Sequence, residues 1–391
     1  MSPMMRLALP VLAAASTAYA ACSTSGTATI QNQGDASAIA SCSTFSGNIA
    51  IATSYSGNLA LDGVQVIKGD LTAEDNPNLG QLSGDSVTSI QNFNLQNVTG
   101  LNTVTFPLLT SVKTLKWISA SVLQNLNFNA EISQAQGVDI ENTILSSLEG
   151  INLETVGDVK IVNNRFIESI EMKVTNITGA LVFEGNAPAL AVKLNSLKAA
   201  NNLTFQACKS VEVASLATLN DSLVLLKNTF ESFSAPNLTK IGNSLIVNDN
   251  ANMTNLTFPA LTTISKAIQV ANNTEFTEFE ALPKLKTVGA NLDIHGNFSK
   301  LEIPSLTDVT GAFNIQSTGD IQSTCDNDFK ALKSSQHIQG KYQCIGEVSN
   351  PGGLDSTPTA TGSGSKKTGA ASPLNVQTGA LGLGVFAAIF L

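Results

Sequence analysis

Apolar positions recur along most of this chain in a unit of the form L-x-x-I/V-G-x-x-L-x-I/V-x-x-N. Leu238, Ile241, Gly242, Leu245, Val247 and Asn250 make up one copy, and the next begins at Leu261. First positions fall at Val64, Val87, Leu109, Ile132, Leu153, Val174, Leu197, Leu216, Leu238, Leu261, Leu285 and Leu306, 19 to 24 residues apart. A period of that length predicts a solenoid, because each unit can bury its apolar side only against its neighbours. Inside the unit, Leu245-Ile246-Val247 alternates with period two, as do Val138-Asp139-Ile140, Val159-Lys160-Ile161, Ile268-Gln269-Val270 and Leu292-Asp293-Ile294. Such alternation predicts a strand whose outer two residues face the core and whose middle residue faces water. No long helical pattern intervenes. The expected architecture is all-β: a right-handed parallel β-helix-like solenoid, leucine-rich-repeat-like, of about 12 turns with disulfide-capped ends. At the usual strand spacing these turns make a rod of roughly 55 Å.

Three residue types punctuate the turns. Gly157, Gly179, Gly242, Gly289 and Gly311 precede strands and predict tight corners with positive φ. Pro107, Pro236, Pro259, Pro283 and Pro304 mark extended corner segments that need no ladder donor. Asn76, Asn164, Asn186, Asn228, Asn250, Asn273 and Asn297 recur three residues past the second inward position. Stacked once per turn, their amides are expected to form a buried ladder, as in leucine-rich repeats, which use Asn or Cys at that place. Cys208 stands there in its own turn and reads as a ladder residue rather than a reactive or intermolecular thiol.

The 391 residues include 21 Lys and Arg against 30 Asp and Glu, a net charge of −9. An acidic chain with only 13% charged residues does not suit nucleic acid, which demands clustered cations. Both ends read as processing signals. Arg6, the apolar run Leu7–Ala15 and Ala18-Tyr19-Ala20 predict a secretory signal peptide over 1–20. Residues 346–369 are rich in Gly, Ser, Thr and Pro and read as a linker outside any core. Small residues at 369–371, a polar spacer and an apolar tail to Leu391 predict a glycosylphosphatidylinositol (GPI) signal, with 370–391 removed. Between these lie an N-terminal cap (21–63), the repeat solenoid (64–320) and a C-terminal cap (321–345). Cys22 pairs locally with Cys42, and Cys325 with Cys344, one disulfide at each end of the repeats.

A secreted chain with nine N-x-S/T sequons is expected to be heavily glycosylated. Eight are acceptor candidates: Asn97, Asn176, Asn202, Asn220, Asn237, Asn252, Asn255 and Asn272. Asn220, Asn237, Asn252 and Asn255 fall at corners or between strands. Asn297, placed in the buried ladder, is expected to carry no glycan in the folded chain.

Parallel β-helices include carbohydrate-cleaving enzymes, which need two facing carboxylates. The outward mid-strand column reads Thr72, Asn94, Lys116, Asp139, Lys160, Val182, Thr204, Val224, Ile246, Gln269, Asp293 and Asn314. Asp139 and Asp293 are seven turns apart there, and Lys116 and Lys160 flank Asp139, so the column predicts charge alternation rather than a catalytic pair. Asp293, His295 and Ser299 lack a nucleophile elbow, and Asp70, Glu74 and Asp75 lack a calcium-loop pattern. No catalytic, cofactor or metal residue is assigned. The apolar run Val182, Thr204, Val224 and Ile246, with Leu226 beside it, reads either as strand propensity or as a partner-binding stripe.

The leader, the terminal Cys pairs, the repeated turns and the tail Lys366-Lys367-Thr368-Gly369-Ala370-Ala371 together resemble a known group. They look like the fungal GPI-anchored cell-wall organisation proteins of the extracellular-mutant and sporulation-specific type, whose repeats are related to receptor L domains. The resemblance implies a non-enzymatic surface glycoprotein of plasma membrane and wall, acting as a scaffold with wall glycans or mannoproteins as partners. It also implies attachment at Gly369, with Ser365 and Ala370 as alternatives, and membrane retention by Lys366-Lys367. A receptor-like module for a glycan or peptide is the second reading, and a wall-glycan hydrolase the third.

Overall fold

A computed structural model describes residues 22–354. They form a parallel β-solenoid of about 13 turns. One face of every turn is a long or two-part strand, and these join in a single sheet of 22 strands. Shorter strands such as Leu79–Ser83, Thr103–Thr105 and Ser232–Ser234 build the opposite side. The stack begins before Val64: Ser23–Ile30 pairs in parallel with Thr44–Ile51, which pairs with Val66–Glu74. At the other end, Tyr342–Ile345 adds a strand to Phe313–Ser317. The two regions expected as caps therefore contribute strands to the stack itself.

Register explains the core. Leu181 lies opposite Leu203, Leu203 opposite Leu223, and Leu223 opposite Leu245, all fully buried. Each such column is one position of the repeat seen end-on. Aromatic residues widen it locally: Trp117 sits 5.5 Å from Phe93 and 6.1 Å from Phe128, centroid to centroid. Burying a side chain of this size is worth about 1.5–3 kcal/mol, so the stack is held by many equivalent contributions rather than one centre.

Both disulfides form as expected, Cys22–Cys42 and Cys325–Cys344. Each closes a loop of about 20 residues and restrains a terminal turn that has a neighbour on one side only. The helix Gln33–Ala38, started by an Asn32–Asp35 capping box, adds a second device. Gln33 donates through Nε2 to the Ala60 carbonyl (2.8 Å) and accepts from the Ala60 N–H at Oε1 (3.0 Å). One side chain thus imitates a neighbouring strand at the edge of the short sheet.

The corners differ from expectation in their mechanism. Gly157, Gly179, Gly242, Gly289 and Gly311 do not have positive φ. They are needed because the turns touch: a Cβ on Gly242 would overlap the Asn220 carbonyl, and one on Gly289 the Ser265 carbonyl. Positive φ occurs instead just after the long strand, at Asp75, Asn97, Ser119, Asn142, Asn163, Gly185, Ala207, Lys227, Asp249 and Asn272, between 49° and 62°. The next residue is buried in each case, from Asn76 through Cys208 to Asn273. A left-handed residue is thus the device that turns the ladder side chain inward.

The ladder itself is continuous from Cys208. The Cys208 N–H donates to Asn228 Oδ1 (2.9 Å), and Asn228 donates to Asn250 from its N–H and from Nδ2, both at 2.9 Å. Cys208 is fully buried, and burial pushes its thiol up to about 12. Asn297 does not belong. Gly296 before it stays paired opposite Ser317 and lacks the left-handed turn, so Asn297 is exposed and its Oδ1 accepts from Thr318.

Residues from Gly346 onward were expected to be linker, yet the described part is docked. Val348 is 1% exposed and donates its N–H to the Ser317 carbonyl (2.9 Å). Gly352 accepts from Asn314 Nδ2 (2.9 Å) and donates to Gln316 Oε1 (3.2 Å). This segment lies over the outward face of the last strands. The signal peptide, Gly369, Ser365 and Ala370 lie outside the described residues.

Candidate functional site

The outward column runs in the expected order. Lys116 is opposite Asp139, Asp139 opposite Lys160, and Lys160 opposite Val182; Thr204, Val224, Ile246, Gln269, Asp293 and Asn314 follow in register. The apolar stripe is less open than the sequence suggests. Thr204 and Val224 are each only 5% exposed, while Val182 and Ile246 are half-buried. Side chains one strand spacing apart, roughly 4.8 Å, cover one another along the column.

Two polar groups interrupt this face. In the first, Glu141 stands two residues past Asp139 on the same side of one strand, and Lys160 Nζ lies 2.5 Å from Glu141 Oε1. Burial, then the hydrogen bond with Glu141, pushes the Asp139 carboxyl up to about 6. Its Oδ1 is buried without a hydrogen-bond partner. Sequence reasoning missed Glu141, although an i, i+2 spacing on a strand is a direct signal for one shared face. Both carboxyls project from one strand, whereas glycoside cleavage needs them on opposite sides of a bond.

In the second group, His295 Nδ1 is 3.1 Å from Asp293 Oδ1, and Asn314 Nδ2 donates to the same oxygen at 2.7 Å. The segment through Gly352 covers them, and Asp293 is 5% exposed. Ser299 does not join: its hydroxyl donates to the Thr277 carbonyl (3.2 Å). Asp75 and Asp70 accept from Asn97 and Asn92 rather than converging. Among the described residues no three His, Cys, Asp or Glu side chains come together as a metal site.

A further recess lies elsewhere. Where the long strands bend, between the Val66 and Thr155 turns, a trough of about 560 Å³ runs along the stack. Lys68, Gln91, Lys113 and Gln136 line it, one from each successive turn, with Ser89 and Ser111 beside them.

The chain aligns at 38% identity over 92% of its length with the protein ecm33 of Aspergillus fumigatus, covering 91% of that protein. It belongs to the Ecm33 family. The family model, described as GPI-anchored cell wall organization protein, matches residues 3–40. The sporulation-specific protein 2 of Saccharomyces cerevisiae is 30% identical over 76% of this chain and 60% of its own. The cell wall mannoprotein PST1 of the same yeast is 31% identical over 79% of this chain and 69% of its own. No solved structure matches. The family resemblance read from leader, cysteines and repeats is thus correct. Among the described residues no helix is long and apolar enough to cross a membrane.

The nine sequons differ in their exposure. Asn97, Asn176, Asn220, Asn237, Asn252, Asn255, Asn272 and Asn297 are exposed. Asn202 is half-buried within Ala199–Gln206, and its Oδ1 is buried without a partner.

Proposed function

We propose that this chain is a non-enzymatic GPI-anchored scaffold of the fungal cell surface that organises the wall by holding wall glycans or mannoproteins along its sides. The observation that carries this reading is the unbroken register of the outward column, which gives the described residues long continuous faces on which Asp139 and Glu141 project from one strand rather than facing each other. Exposed sequons distributed over many turns fit a rod that works while clothed in sugar. The disulfide-closed ends fit an extracellular setting. GPI attachment at Gly369 belongs to the same proposal.

Deleting the chain and scoring sensitivity to wall-binding dyes tests the reading, with rescue by chains containing or lacking residues 369–391. Normal dye resistance restored only by the full chain is the expected result. A deletion without a wall defect overturns it.

A further inference from the structure

The trough at the strand bend has a chemistry unlike the rest of this acidic chain. No Asp or Glu lines it, and its two charged side chains are Lys68 and Lys113. Both are exposed, and neither forms an ion pair among the described residues. In a protein with 30 carboxylates against 21 cations, two lysines facing one carboxylate-free recess leave a local positive potential. They stand on alternate turns, with Gln91 between and Gln136 after, so the cations repeat every two strand spacings, roughly 10 Å. The whole trough covers four spacings, roughly 19 Å. A linear ligand lying along the stack would meet a lysine, an amide, a lysine and an amide in turn.

The lining also lacks any aromatic side chain. A neutral sugar ring has no face here to stack on, and hydrogen bonds from exposed amides and hydroxyls give little net affinity against water. Charge is the contribution that remains. Lysine binds phosphate as a point charge without demanding one orientation, which suits anionic groups spaced along a flexible chain. An acidic peptide would supply charge as well. The paired rows of hydroxyl and amide groups, Ser89 and Ser111 beside Gln91 and Gln136, match a hydroxyl-rich ligand better.

We propose that the trough lined by Lys68, Gln91, Lys113 and Gln136 binds an extended anionic oligosaccharide, one whose sugars carry phosphate or carboxylate groups. This rests on the reading of the chain as a wall-binding scaffold and names the face and ligand class it would use.

The test is binding of the purified full-length protein to a phosphorylated oligomannoside. Comparators are the same oligomannoside without phosphate, an oligogalacturonide, inorganic phosphate and an acidic peptide. The phosphorylated probe is expected to bind at least about tenfold tighter than the neutral one, with affinity falling as salt rises. Lys68→Gln and Lys113→Gln should each weaken it roughly three- to tenfold, and the double variant should lose the preference for charge. Lys284→Gln, on an exposed corner lysine outside both the trough and the outward column, should change nothing. Equal binding of the oligogalacturonide assigns the site to anionic sugars generally, and weak binding assigns it to phosphate; both support the proposal. Equal affinity for the neutral probe, competition by inorganic phosphate at the same concentration, tighter binding of the peptide, or an unaffected double variant overturns it. Asn176 continues the Thr155 column at the end of the trough, so Asn176→Gln is measured too. Binding confined to that variant also counts against the proposal, because the chain's own glycan would then exclude the ligand. A wall defect on deletion together with a double variant that binds normally sinks the trough and leaves the scaffold reading standing. Absence of that defect sinks the scaffold reading instead.

Discussion

Asn250 donates twice to one oxygen of Asn273, from its N–H at 2.9 Å and from Nδ2 at 3.0 Å. Nδ2 also reaches the Leu225 carbonyl at 3.0 Å, so a single buried amide ties its own turn to both neighbours. Removing it leaves buried groups in adjacent turns without partners, each worth about 1–3 kcal/mol. Asn250→Ala should therefore destabilise the protein by roughly 2–4 kcal/mol, measured by thermal or denaturant unfolding. Asn297→Ala, at the equivalent sequence position but exposed, should cost under about 0.5 kcal/mol. Equal losses in the two variants would contradict the boundary of the ladder.

Cys208 provides the chemical counterpart. Its thiol is fully buried and pushed up to about 12 by that burial, so almost none is thiolate near neutral pH. The native protein should resist alkylation at pH 8, while the denatured protein gains one label on this residue. Cys208→Asn should be tolerated, since an amide there gives Asn186 the acceptor that Asn186 gives to Asn164 (3.0 Å). Cys208→Lys should prevent folding. Rapid labelling of the native protein, or an Asn variant as damaged as the Lys variant, would count against the ladder assignment.

These two residues show which parts of the fold were legible in the sequence. Inward strand positions, the mid-strand column and the ladder repeat with the turn, so period alone placed them. Corners were not legible to the same degree. Gly242 was assigned to positive φ, but its requirement comes from contact with Asn220 one turn away, which no local pattern displays. Asn297 matched the spacing of the ladder, but its strand stays paired through Gly296, so the left-handed turn never forms. The trough was missed because Lys68 and Lys113 sit at the bend, just before the alternating triplet that defined the columns. Aligning the turns on that bend residue is the signal that finds it.

The Asp139 carboxyl links this face to pH. Burial and the hydrogen bond with Glu141 raise it from 3.8 to about 6, with Lys116 and Lys160 opposing the shift. A raised carboxyl means that the folded chain holds a proton which the unfolded chain releases. Between about pH 4 and 6, stability should therefore fall as pH rises, and then level off. Because the site is partly wet, roughly 1–2 kcal/mol is the expected change. Asp139→Asn should remove this slope and unfold at a higher temperature than the parent above pH 6. Unfolding curves across pH 4–8 check it; an unchanged slope in the variant places the titration elsewhere.

The last prediction concerns which sequons carry sugar, since glycans are added before folding is complete and the fold then selects. Asn202 lies opposite Ala180 in the middle of a paired strand, and its Oδ1 is enclosed without a partner. A glycan on that amide would obstruct the pairing of Ala199–Gln206 with both neighbouring strands. Asn297 has the opposite setting, exposed at the end of its strand with Phe298 buried behind it. Glycopeptide mass mapping of the secreted protein should find Asn297 occupied and Asn202 bare. Asn297→Gln should remove one glycan from the secreted form, whereas Asn202→Gln should leave its mass unchanged within the substitution. A population retained inside the cell should be enriched in chains glycosylated at Asn202, because those cannot close the stack. Secreted, protease-resistant protein with a sugar on Asn202 would show that this part of the sheet opens far enough to accommodate one.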